Sequence, residues 1–194
     1  FYMIYEEKQL EEEAVRYTAA RMCAAARTAP KGNGVDNILT AVLTGRDKEA
    51  LADKMDEIGV RDFGKERAAA WYGRDAANIR AAQAVVLIGA KESYRGVPHC
   101  GLCGFGGCGA CQEAGGRCAF TYIDLGIAVS SAAETAALDK ADNRIMFSAG
   151  RAAEEAGYCG DNVRWLGIPV SLSGKNIFFD RKRQSEAALV PCPA

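Results

Sequence analysis

The stretch HCGLCGFGGCGAC, residues 99–111, places four of the chain's eight cysteines within twelve positions and separates them almost wholly with glycine. Cys100, Cys103 and Cys108 make a C-x2-C-x4-C run, and Cys111 and Cys118 are two candidates for a fourth thiolate. Iron–sulfur clusters need several thiolates converging on one compact inorganic core, and closely spaced cysteines let a short loop deliver them. Glycines at 101, 104, 106, 107 and 109 suit that task, because they free the backbone to curl, to reach positive φ and to turn amide N–H groups toward sulfur. Zinc is the alternative, since four thiolates also close a tetrahedral site, but structural zinc sites usually draw two ligand pairs from separated knuckles. Three or four ligands in one loop therefore favour iron–sulfur over zinc. Spacing leaves both Cys111 and Cys118 open as the fourth ligand. His99, the sole histidine, reads as a solvent-facing residue before the loop, Cys23 as a core residue on a helix, and Cys159 and Cys192 have no near partner.

The elements that must hold this loop follow from hydrophobic spacing. Leu10, Ala14, Val15, Ala19, Met22, Cys23 and Ala26 recur at three- and four-residue steps, which predicts a long amphipathic helix over 7–27. Pro30, Gly32, Asn33 and Gly34 break it. NILTAVLTG then alternates as a strand, and Asp47 caps a helix with Leu51, Met55 and Ile58 on one face. A further helical region over 61–82 leads into AVVLIGA, a fully apolar strand of the type buried in a central sheet, and the cysteine loop follows directly. TYIDLGIAVSSAAETAALDKAD predicts a small-residue helix packed closely on a neighbour. Asn143 or Asp142 caps a helix running to Gly157, NVRWLGIPVS is a strand, NIFFD a short extended segment, and the tail LVPCPA a surface piece. Helices and strands alternate without repeats or linkers, giving one α+β domain over 1–194, its helices around a central sheet, with a Cys/Gly-rich metal-binding loop at 99–118.

Composition narrows the partners. The chain has 194 residues, 24 basic and 25 acidic, with a net charge of −1 and no basic stripe, which speaks against nucleic acid. No apolar run approaches the roughly 20 residues of a membrane span, and FYMIYEEKQLEEEAV lacks the pattern of a secretion signal. Met3 reads as the natural start. The expectation is a soluble cytoplasmic protein, where reducing conditions disfavour a disulfide or idle-thiol reading of the loop.

Several blocks in one order resemble the prokaryotic family of uncharacterised proteins containing a ferredoxin domain: ARTAPKGNGVDNILTAVLTG, RDAANI with VVLIGAK, CGLCGFGGC with CAFTYIDLGIAVSSA, DNRIMFSAG, and GIPVSLSGKNIFFDRK. The loop is also similar to the small 4Fe-4S domains of corrinoid and electron-transport proteins. Their pattern CGxCGxxxC with a later cysteine matches Cys100, Cys103 and Cys108 and implies Cys118 as fourth ligand, with Cys111 as the alternative. A weaker resemblance, to the flavin-dependent nitroreductases, rests on ARTAPKGN after the first helix and on the small-residue helix DLGIAVSSAAETAAL. It implies a nitroreductase-like α+β fold and a homodimer with FMN at its interface, Arg27, Lys31 and Asn33 being the matching loop positions. The nitroreductases' basic, serine-containing segment near the amino terminus is absent here, and the cysteine loop is extra.

SLSGKN, residues 171–176, is a polar turn by its composition. Within the resemblance, Ser173, Gly174 and Lys175, with Arg181 and Lys182 nearby, are the candidate flavin-phosphate contacts. The segment lacks Walker A spacing, no GxSxG elbow accompanies His99, and the glycines of CGFGGCGAC are not a dinucleotide fingerprint. The combined expectation is an iron–sulfur redox protein that exchanges electrons with an unidentified partner or a flavin, so that any catalysis would be that of an oxidoreductase. The alternatives are a structural zinc scaffold and a flavin enzyme without a cluster.

Overall fold

The computed structural model describes residues 4–179, so Met3, Arg181, Lys182, Cys192 and the LVPCPA tail lie outside the described residues. Its elements are α1 (Glu7–Thr28), β1 (Ile38–Leu43), α2 (Gly45–Ala68), α3 (Arg74–Ala81), β2 (Ala84–Lys91), α4 (Cys108–Glu113), α5 (Ala119–Leu138), β3 (Asp142–Asn143), α6 (Phe147–Glu155) and β4 (Val163–Ser171). The sheet is antiparallel in the order β1-β2-β4-β3. As its unbroken apolar run demands, β2 lies inside, flanked by β1 (Ile38 opposite Ala90) and β4 (Val170 opposite Ala84).

Alternation along the strands sends side chains to two cores. Ile38, Val86, Ile88, Ala90, Ile168 and Val170 meet α1 and α5, where Ala19, Ala26, Ala128, Ala132 and Ala136 let the two helices pack closely. Leu43, Val85, Leu87, Val163 and Trp165 meet the opposite helical layer of α2, α3 and α6 through Leu51, Met55, Ile58, Ile79 and Ala149. Glycine sets the spacing of that second layer. A Cβ on Gly150 of α6 would stand 1.9 Å from the Trp165 carbonyl oxygen, and one on Gly89 would stand 2.6 Å from the Trp165 ring.

Four expectations need correction. Asp47 does not cap its helix: α2 begins at Gly45 after Thr44, without a side-chain cap, and Asp47 lies inside the first turn. The helical region over 61–82 is broken: Gly64 (φ 73) kinks α2, and a wide π turn, Ala69–Gly73, follows and brings Trp71 to 5.3 Å from Phe63 before α3 begins. Neither Asn143 nor Asp142 caps a helix. Both pair as β3 with the end of β4, so the sheet already occupies this backbone, and α6 starts only after Met146. NIFFD is not extended through its described part, because the Asn176 side-chain oxygen accepts the N–H groups of Phe178 and Phe179 and curls the chain into a turn.

Gly150→Ala should lower stability by about 3 kcal/mol in urea unfolding, since α6 must lift off β4. Gly126→Ala, on the open face of α5, should leave it unchanged or raise it by about 1 kcal/mol. Equal effects would refute the packing argument.

Candidate metal centre

Where β2 ends at Lys91 the chain leaves the sheet, and it regains regular structure only at Cys108. Two of the five loop glycines are demanded by backbone geometry: Gly101 (φ 56) and Gly104 (φ 85), joined by a hydrogen bond from the Gly104 N–H to the Gly101 carbonyl. Gly107 is extended, and side chains at 106, 107 and 109 would meet open space. The one-and-a-half turns of α4 put Cys108 and Cys111 three residues apart on one face. Gly115 (φ 65) reverses the chain, and the Gly116 N–H bonds the Cys111 carbonyl at 2.7 Å. Any Cβ on Gly116 would strike the Phe105 ring at 2.7 Å and the Cys111 sulfur at 3.0 Å. Cys118 then stands at the N-cap of α5.

These turns bring Cys100, Cys103, Cys108, Cys111 and Cys118 to the wall of one small cavity, completed by residues including Val97, Leu102 and Phe120. Both rivals for the fourth ligand line it. Cys111 is fully buried. Burial pushes its thiol up, a hydrogen bond with Cys103 adds to this, and the charges of Cys103, Cys118 and Cys108 act in the same direction. All described cysteines are free thiols, and His99 is exposed and outside the cavity wall. Among the described residues no three His, Cys, Asp or Glu side chains are arranged around a single metal ion, so the five sulfurs share a cavity without closing on one point. The donor set is purely thiol, with no carboxylate or imidazole on the wall, which suits a soft, sulfur-ligated group. One turn beyond Cys118, the Thr121 hydroxyl is buried without a hydrogen-bond partner.

Behind the cavity lies a buried ion pair that sequence reasoning did not single out. Arg95 lines the cavity, and its guanidinium donates to Asp124 Oδ2 at 2.7 and 3.2 Å and to the Ser93 carbonyl and hydroxyl, with both charged side chains 1% exposed. The free oxygen of Asp124 accepts the Gly32 N–H at 2.9 Å, and the Arg95 carbonyl accepts the Asn33 side-chain amide at 2.9 Å. Gly32 in turn lies so close to the Phe120 ring that a Cβ there would approach to 2.6 Å. The loop after α1 is thereby fastened to the cysteine cavity. A signal for this existed: Asp124 is the only charged residue in the otherwise uncharged run from Cys118 to Ala133.

The six expected flavin contacts fall into two places. Asn33 (φ 54) reaches the cavity through its bond to the Arg95 carbonyl, while Arg27 and Lys31 lie at the end of α1 and in the loop after it. Lys31 donates to the carbonyls of Arg27 and Ala29, closing the end of α1, while Arg27 forks onto Asp36 and holds that carboxyl below the usual carboxylate range. Ser173, Gly174 and Lys175 form a bend after β4 in which the Ser173 hydroxyl donates to the Lys175 carbonyl at 2.7 Å. Strand register puts that bend at the opposite end of the sheet, about 20 Å of strand away. Cys159 is exposed, and Cys23 packs partly buried against the α1–α5 core.

Residues 114–181 match the family described as "Uncharacterized protein containing a ferredoxin domain (DUF2148)", a span that holds Cys118 but not the four earlier loop cysteines. An uncharacterized protein of Archaeoglobus fulgidus is 38% identical over 190 residues, 92% of this chain and 98% of its own. Among solved structures, the fold is similar to a nitroreductase-like family protein from Bacillus cereus (TM-score 0.55, 12% identity, 95% of this chain and 83% of that one). It is similar also to a nitroreductase with bound FMN from Desulfitobacterium hafniense DCB-2 (0.53, 12%, 99% and 89%) and to a BluB-like flavoprotein from Clostridium difficile 630 (0.52, 14%, 100% and 92%). At such identities the likeness is one of fold, and it makes the architecture nitroreductase-like α+β. No helix among the described residues is long and apolar enough to cross a membrane.

Burial orders the thiols by access. In metal-free protein under argon, a thiol-specific alkylating reagent should label exposed Cys159 first and buried, proton-holding Cys111 last, with Cys100, Cys103 and Cys108 between, as read by peptide mass spectrometry. Labelling of Cys111 as fast as Cys159 would contradict the enclosed cavity.

Proposed function

Because the chain belongs to the family of uncharacterized proteins containing a ferredoxin domain, we propose that it is an iron–sulfur redox protein of the cytoplasm. Cys100, Cys103, Cys108 and Cys118 hold a 4Fe-4S cluster in this reading, with Cys111 as the alternative fourth ligand. The observation that carries it is the single cavity walled by five thiols. A bound cluster would supply one-electron transfer. The chain's own part is to deliver thiolates from the loop, α4 and the cap of α5, to shield them with Val97, Leu102 and Phe120, and to set the local charge through Arg95. Zinc in the same cavity would instead make the loop a structural staple.

Anaerobic purification followed by iron, sulfide and zinc analysis separates these. About four iron and four sulfide per chain are expected, retained in Cys111→Ser and lost in Cys118→Ser. A colourless protein with about one zinc and no iron would overturn the redox reading.

The fold supports a second cofactor, since one similar structure is a nitroreductase with bound FMN. Arg27, Lys31, Asn33, Ser173, Gly174 and Lys175 are the contacts in this reading. Their separation along the sheet means that one flavin touching both groups requires two copies of the chain. The outward face of α5, with Tyr122, Ile123 and Ile127 exposed, offers a surface for such a homodimer. Flavin fluorescence should appear in small molecules released from the purified protein, and its absence even after incubation with FMN would remove this cofactor.

A further inference from the structure

Arg95 and Asp124 do more than fasten a loop. Arg95 is part of the cavity wall and Asp124 is not, so the buried pair presents its positive member to the thiols and its negative member away from them. Each oxygen of Asp124 is committed, one to the guanidinium and one to the Gly32 N–H, and Nη1 of Arg95 donates to the Ser93 carbonyl and hydroxyl. Both side chains of the pair are 1% exposed, and at low local dielectric a fixed cation acts strongly on charge change beside it. From Gly96 to Gln112 the sequence carries no Lys, Arg, Asp or Glu, so the loop has no charged side chain of its own to oppose Arg95.

We propose that Arg95 is a positioning residue that fixes the electrostatic environment of the cysteine cavity, with Asp124 as its counterweight, and so favours the more negatively charged state of the group the thiols hold. This rests on the cluster reading. One-electron reduction adds one negative charge and breaks no bond. A cation at the wall stabilises the product of that addition and raises the potential, and an unneutralised carboxylate lowers it.

The test is a dithionite titration, with dithionite as electron donor, of the full chain reconstituted anaerobically with ferrous iron and sulfide, followed by absorbance and electron paramagnetic resonance. Arg95→Gln should shift the midpoint to more negative potential, Asp124→Asn to more positive potential, and Arg95→Lys should stay near the wild type. Both Gln and Asn variants loosen the same loop, so hydrogen exchange at residues 29–34 should rise in both. A merely structural role would therefore move the potentials alike or not at all, and either result overturns the inference. If a single variant fails to fold by circular dichroism, the neutral pair Arg95→Gln with Asp124→Asn decides. A midpoint below wild type supports the inference, because the nearer charge has been removed, and an unchanged midpoint overturns it. Wild-type protein that takes up neither iron nor sulfide overturns the cluster reading and this inference with it, whereas a loaded wild type with unmoved variants overturns the inference alone.

Discussion

A guanidinium and a carboxylate, each 1% exposed, are the constraint around which the site end of this molecule is arranged. Burying two charges costs several kcal/mol per ion unless nearly every donor and acceptor is matched. Here the matching recruits three separate stretches of chain: Ser93 beside Arg95, Asp124 on α5, and Gly32 with Asn33 on the loop after α1. None of these stretches can move far without stranding a charge. The segment leading into the cysteine loop, the helix leading out of it and the loop after α1 are thus held as one unit, although the sequence separates them by up to 92 residues.

The rest of the fold supplies a rigid platform for that unit. Its stiffness comes from close approach: alanines between α1 and α5, and glycines where α6 and the Trp165 ring press on the sheet. Side chains so short have few rotamers to lose, and interiors packed this tightly transmit displacement instead of absorbing it. The cysteine loop is built otherwise. It contains few regular backbone bonds, several glycines in open space, and a surface of half-exposed thiols, so it takes its shape from the flanking anchors at Arg95 and Cys118.

Much of this was legible in the sequence, and the failures have physical causes. The periodicity of 7–27 and the apolar run AVVLIGA specified α1 and the central strand, because burial on one stripe or on two faces leaves a direct imprint on residue order. Asn143 misled because a good capping residue is also a good turn residue, and pairing with β4, set by distant contacts, decided between them. Gly64 was visible, yet its consequence depended on Phe63, Trp71 and Tyr72 stacking across the bend. At the site the thiols stood out by spacing alone. The Arg95–Asp124 pair did not, since an ion pair between residues 29 positions apart has no local signature beyond an acid in an apolar helix.

The close approach of Phe105 to Gly116 bears on how the deepest thiol is held. A Cβ at 116 would meet the Phe105 ring at 2.7 Å and the Cys111 sulfur at 3.0 Å, so both crowd the space a side chain would take. Phe105 itself is not part of the cavity wall. Any bulk placed at 116 would therefore press at once on the ring and on the buried Cys111 sulfur, and so displace one wall of the cavity from outside it.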